Sequence, residues 1–89
     1  MSYLLNKLTH FVGKNNILST RETDEGSRIL VFVGGQYFSI LINEDDVWME
    51  LCRVDSPQNL LDKPKRYYYM TDVVEIFRRA VSLHRAFSE

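Results

Sequence analysis

The stretch DKPKRYYYM, residues 62 to 70, sets Lys63, Lys65 and Arg66 directly ahead of three consecutive tyrosines, Tyr67, Tyr68 and Tyr69. Planar rings stack on nucleobases and neighbouring cations neutralise phosphates, so these are the ingredients of a single-strand nucleic-acid site. Tyr and Arg are also the residues most enriched at protein-binding hot spots. In an extended segment Tyr67 and Tyr69 fall on one side and Tyr68 on the other, which limits any platform to two rings. Tyrosines that lead into a helix commonly bury the ring and leave the hydroxyl wet. Packing or a protein interface is therefore the expected role. Nucleic acid is the alternative, gripped by this segment and by Arg78, Arg79 and Arg85 on one face of the last helix.

A second cluster comes from the turns. Glu22, Asp24 and Glu25 flank one turn, and Glu44, Asp45 and Asp46 another. If those turns lie at one end of a sheet, half of the 12 acidic residues gather there, while Lys14, Arg53, Lys63, Lys65 and Arg66 lie toward the other. Such an end suits a basic protein partner. It lacks the alternating-ligand spacing of a calcium loop, and no metal is expected.

Catalysis requires a nucleophile, a base and an orienting group brought together. His10 falls on the polar side of its helix, and His84 falls in an apolar stripe, packed against Trp or Tyr. Cys52 reads as a small core side chain. Gly34 and Gly35 are explained by a hairpin and form no phosphate loop. The chain is expected to be non-enzymatic and to need no cofactor.

The elements that position these residues follow from composition and periodicity. The 89 residues are 45% hydrophobic and 26% charged, with a net charge of −1. These are the proportions of one folded domain over residues 1–89, without a global field that would draw it to nucleic acid or lipid. The longest purely apolar run, Ile29 to Val33, is far short of the roughly 20 residues that span a bilayer. The first dozen residues lack the layout of a signal peptide. One cysteine cannot form an internal disulfide, which points to a cytoplasmic location.

Leu4, Leu5, Leu8, Phe11 and Val12 recur at helical spacing behind Ser2 as cap, and Gly13 ends that helix. ILSTRET reads as an edge strand, DEGS as a turn, RILVFV as a buried strand, Gly34-Gly35 as a hairpin turn, and YFSILIN and VWMELCRV as two more strands. Ser56, followed by Pro57 as a first-turn proline, predicts a single helical turn through Leu60 and Leu61. Asp72 and Glu75 form a capping-box pattern for a last helix whose apolar stripe is Val73, Phe77, Ala80, His84 and Phe87.

The expected fold is a two-layer α+β domain: helix, four-stranded antiparallel meander, helix. Strands two and three are apolar on both faces. If both helices share one face, the other stays open as an apolar patch, the mark of a protein partner or a homodimer. The sequence thus points to a cytosolic protein-binding module such as an inhibitor, an immunity or antitoxin-type protein, or an adaptor or chaperone. It docks through the acidic end and the apolar or tyrosine-rich surface, with no membrane involved.

Overall fold

The computed structural model describes residues 3–56 and 58–88. Ser2 and Pro57, expected as a cap and a first-turn proline, lie outside them. In chain order the elements are α1 (Tyr3–Val12), a short 3-10 turn (Lys14–Asn16), β1 (Ile17–Thr23), β2 (Gly26–Val33), β3 (Gln36–Asn43), β4 (Trp48–Ser56), β5 (Asn59–Leu60), β6 (Lys65–Tyr67) and α2 (Met70–Ser88). The expected α+β architecture is present. Among the described residues no helix is long and apolar enough to cross a membrane.

The four long strands form the expected antiparallel meander, β1-β2-β3-β4. Among the described residues the sheet has six strands, because both short strands pair with the outer side of β4. β5 runs beside its C-terminal half, with Val54 opposite Leu60. β6 runs beside its N-terminal half, with Glu50 opposite Arg66. The helical turn expected at Leu60 and Leu61 is therefore a strand that continues in the Leu61 amide, which donates to the Arg53 carbonyl at 2.9 Å. An open edge on β4 rewards ladder hydrogen bonds there, and tertiary pairing overrides a weak local helix signal.

Both helices pack on one face of this sheet. Leu4, Leu8 and Val12 of α1 and Val73, Phe77 and Ala80 of α2 close over Ile29, Val31, Val33, Phe38, Ile40, Ile42, Met49 and Leu51. Phe77 lies at the centre, edge-on to Phe38 at 5.2 Å between ring centroids and stacked with Phe11 at 6.4 Å. The hairpin between β2 and β3 uses Gly34 (φ 58°) and Gly35 (φ 71°), a conformation that glycine reaches without steric cost. These glycines do more than turn the chain. A Cβ on Gly34 would lie 2.5 Å from the Ala80 carbonyl carbon, and one on Gly35 would lie 2.6 Å from the His84 ring. The hairpin thus lies tight against α2 at Ala80 and His84.

α2 starts at Met70, ahead of the expected cap, so Asp72 sits inside the first turn and its amide donates to the Tyr69 carbonyl at 3.1 Å. Its carboxylate still faces the positive end of the helix dipole. Val73, Phe77 and Ala80 are buried as the stripe requires, but His84 and Phe87 are exposed. The last turns of the helix, from Ser82 to Phe87, are exposed along their length. The His84 ring lies against Gly35 of the hairpin.

The other sheet face carries no helix among the described residues. It presents Arg28, Leu30 and Phe32 on β2, Tyr37, Ser39 and Leu41 on β3, and Glu50, Cys52 and Val54 on β4. Phe32 and Tyr37 are solvent-exposed and pair at 4.9 Å. The face is less apolar than expected, because the register sets Arg21, Arg28, Leu41, Glu50 and Arg66 in one row across five strands.

Candidate functional site

The two acidic turns lie side by side. The Asn43 side-chain amide donates to the Glu25 carbonyl at 2.9 Å and ties the β3–β4 turn to the β1–β2 turn. Its Oδ1 accepts the Asp46 amide at 2.8 Å and shapes the β3–β4 turn from within. A shallow basin of about 450 Å³ results, whose lining includes Glu22, Asp24, Glu25, Glu44 and Asp45 and no basic residue. Asp46 stands beside it.

The six acids are not equivalent. Glu44 reaches α1, where its Oε1 accepts the Leu4 amide at 2.9 Å and its Oε2 the Leu5 amide at 3.0 Å. A carboxylate on otherwise unpaired first-turn amides caps the helix and meets its positive dipole end. Glu44 is therefore held within the molecule. Glu22 accepts a hydrogen bond from Ser27 at 2.7 Å. Asp24, Glu25, Asp45 and Asp46 are left to define the charge of this end. The β3–β4 turn, which carries Asp45 and Asp46, closes through Val47 at φ 57°, a conformation costly for a β-branched residue.

The basic and aromatic segment is divided by the fold. Tyr67, the last residue of β6, is partly buried against the core, and the Lys65 ammonium lies 5.5 Å from its ring centroid. Arg66 stacks on Trp48 at 3.8 Å and pairs with Glu50 at 3.3 Å. Its charge is answered within the chain. Tyr68 and Tyr69 are exposed in the bend before α2, and Lys63 is exposed beside a cavity shared with Lys65, Tyr67 and Ile76. Arg78 belongs to a different flank of α2, in a groove of about 590 Å³ that also takes in Tyr3, Lys7, His10 and Val74. Its guanidinium sits 5.9 Å from the Phe11 ring. Arg79 and Arg85 are exposed on the same helix. The cations expected to act together thus fall in separate settings, and Lys65 and Arg66 lie alongside the N-terminal half of β4, the half that leads from the acidic β3–β4 turn, rather than at the end opposite the acids.

Arg53 and Asp62 anchor the crossover between β5 and β6. The guanidinium meets the carboxylate through Nε at 2.8 Å and Nη2 at 2.9 Å. The hydrogen bond from Arg53 holds the Asp62 carboxyl below the usual range. Cys52 is buried on the open face of β4, and burial pushes its thiol pKa up, which keeps the nucleophilic thiolate scarce. His84 sits at the β2–β3 turn below the helix, so Cys52 and His84 are on opposite faces of the sheet. Among the described residues no group of three or more His, Cys, Asp or Glu side chains could hold a metal.

One pair went unnoticed in the sequence. Arg21 and Arg28 are directly opposed across β1 and β2. The signal was the turn itself: with Asp24 and Glu25 as the two turn residues, rather than the four residues DEGS, the hairpin register places residue 21 against residue 28. No protein-family model, curated protein or solved structure matches the chain.

Proposed function

We propose that the chain is a non-catalytic binding module of the cytosol that docks a basic surface of another protein at its acidic end, in the manner of an inhibitor, an immunity or antitoxin-type protein, or an adaptor. The observation that carries this reading is the bond between Asn43 and the Glu25 carbonyl. It locks two acidic turns into one surface that presents Asp24, Glu25, Asp45 and Asp46 together. Rigid presentation matters because like charges on independent loops would spread apart, whereas fixed ones steer an oppositely charged partner and set its orientation. Tyr68 and Tyr69, exposed ahead of α2, supply rings of the kind that anchor such interfaces. Nucleic acid is less well served, since Arg66 is neutralised by Glu50 and Arg78 lies on another flank.

The test is affinity capture of the tagged chain from its native lysate after nuclease treatment, beside a variant carrying Asp24→Lys, Asp45→Lys and Asp46→Lys. Glu44 is kept, because it caps α1. A stoichiometric basic protein retained by the wild type and lost by the variant supports docking at this end. Equal recovery by both, or loss of all bound material to nuclease, contradicts it.

A further inference from the structure

The open sheet face holds two arginines that the rest of the fold leaves unanswered. Arg21 of β1 and Arg28 of β2 are direct cross-strand partners, an arrangement that brings like charges to about 5 Å between Cβ atoms and costs stability. The ion pairs among the described residues are Arg53 with Asp62 and Arg66 with Glu50, so neither member of this pair has a carboxylate. Glu22, the nearest acid in sequence, belongs to the opposite face of β1 and is engaged by Ser27.

Arg28 is also held in place. Its Nη1 donates to the Oγ of buried Ser39 at 2.9 Å, which lays the guanidinium along the sheet and leaves its remaining N–H groups available. Both arginines line a concavity of about 390 Å³ with Ser19, Ile29, Leu30, Ser39 and Gln58, and among the described residues no acid contributes to that lining. The wall therefore combines two arginines, two serines and a glutamine beside two apolar residues. Guanidinium forks match the oxygens of phosphate in paired, charge-assisted hydrogen bonds. Two cations on one concavity balance a dianion better than the single charge of a carboxylate.

We propose that the cavity between Arg21 and Arg28 binds the phosphoryl dianion of a phosphate monoester, with the ester's carbon skeleton against Leu30. The site lies on the sheet face and uses none of the four turn carboxylates that define the acidic end, so it stands or falls independently of partner docking there.

The experiment is a ¹⁵N NMR titration of the full chain with inorganic phosphate, O-phosphoserine, a phosphoserine-centred peptide, acetate and sodium chloride at matched ionic strength. Phosphate and O-phosphoserine should give saturable shifts around Ser19, Arg28 and Ser39, with acetate several-fold weaker and chloride without a saturable response. Tighter binding of the peptide than of O-phosphoserine assigns the source to a phosphorylated protein, and equal binding assigns it to a small ester; either upholds the site. Arg21→Gln and Arg28→Gln should each weaken phosphate binding at least tenfold, and Arg28→Lys less, since it keeps the charge without the fork. Arg21→Gln, on an exposed edge strand, should melt no lower than the wild type because it relieves the opposed charges. The proposal is overturned if phosphate acts no differently from chloride, or if its shifts survive both glutamine variants.

Discussion

Replacing Glu44 with alanine removes both acceptors from the first turn of α1, at Leu4 and Leu5. Loss of a capping side chain costs about 1 kcal/mol. Withdrawal of a negative charge from the positive end of the dipole adds about 0.5 to 1 kcal/mol, for a total of about 1.5 to 2 kcal/mol. In a chain of this size each kcal/mol lowers the melting temperature by roughly 4 to 8 °C, so Glu44→Ala should melt about 6 to 16 °C below the wild type. Glu44→Gln keeps one acceptor oxygen and should lose about half as much. Asp45→Ala is the control, one residue away in the same turn but outside the cap, and surface substitutions of that kind stay within about 0.5 kcal/mol. Thermal unfolding followed by circular dichroism reads all three. If Glu44→Ala and Asp45→Ala melt together, the cap contributes nothing and Glu44 returns to the surface acids.

Other substitutions test the backbone and the buried thiol. Gly34→Ala should cost more than about 2 kcal/mol, because left-handed backbone alone costs an L-residue about 1 to 2 kcal/mol and the new methyl would meet the Ala80 carbonyl. Gly35→Ala should cost less, since the obstacle is the movable His84 ring; urea unfolding ranks the two. Val47→Asn should stabilise the chain by about 1 kcal/mol, as asparagine tolerates the positive φ that valine resists. A raised Cys52 pKa favours the protonated thiol in the folded state. Its contribution is therefore fully present below the unfolded value of about 8.5 and is lost as pH rises through the folded value. Wild type should lose stability relative to Cys52→Ala above about pH 8.5, and equal slopes for the two would contradict this.

The fold was legible where local signals had no competitor. Gly34-Gly35 announces the β2–β3 hairpin because few other dipeptides take two positive φ values, and the stripe Val73, Phe77, Ala80 announces α2 because that periodicity suits only a helix face. The strand at Leu60 was misread as a helical turn, and the sheet partner of Arg66 was missed, because both depend on a distant edge: Leu60 pairs with Val54 and Arg66 with Glu50, and no local pattern specifies such partners. The acidic end followed from meander topology, since alternate turns must fall together. The diversion of Glu44 into α1 did not follow, because it depends on where the helix lands above the turn. Arg66 looked like a free cation until β6 brought Glu50 and Trp48 to it.

The most direct test of docking at the acidic end is the association rate of the captured partner with the wild type and with the Asp24→Lys, Asp45→Lys, Asp46→Lys variant, measured from low to high salt. Electrostatic steering predicts at least a tenfold slower association for the variant at low salt, and convergence of the two rates as salt screens the field. Equal rates at low salt, with no dependence on ionic strength, would place the interface elsewhere on the molecule.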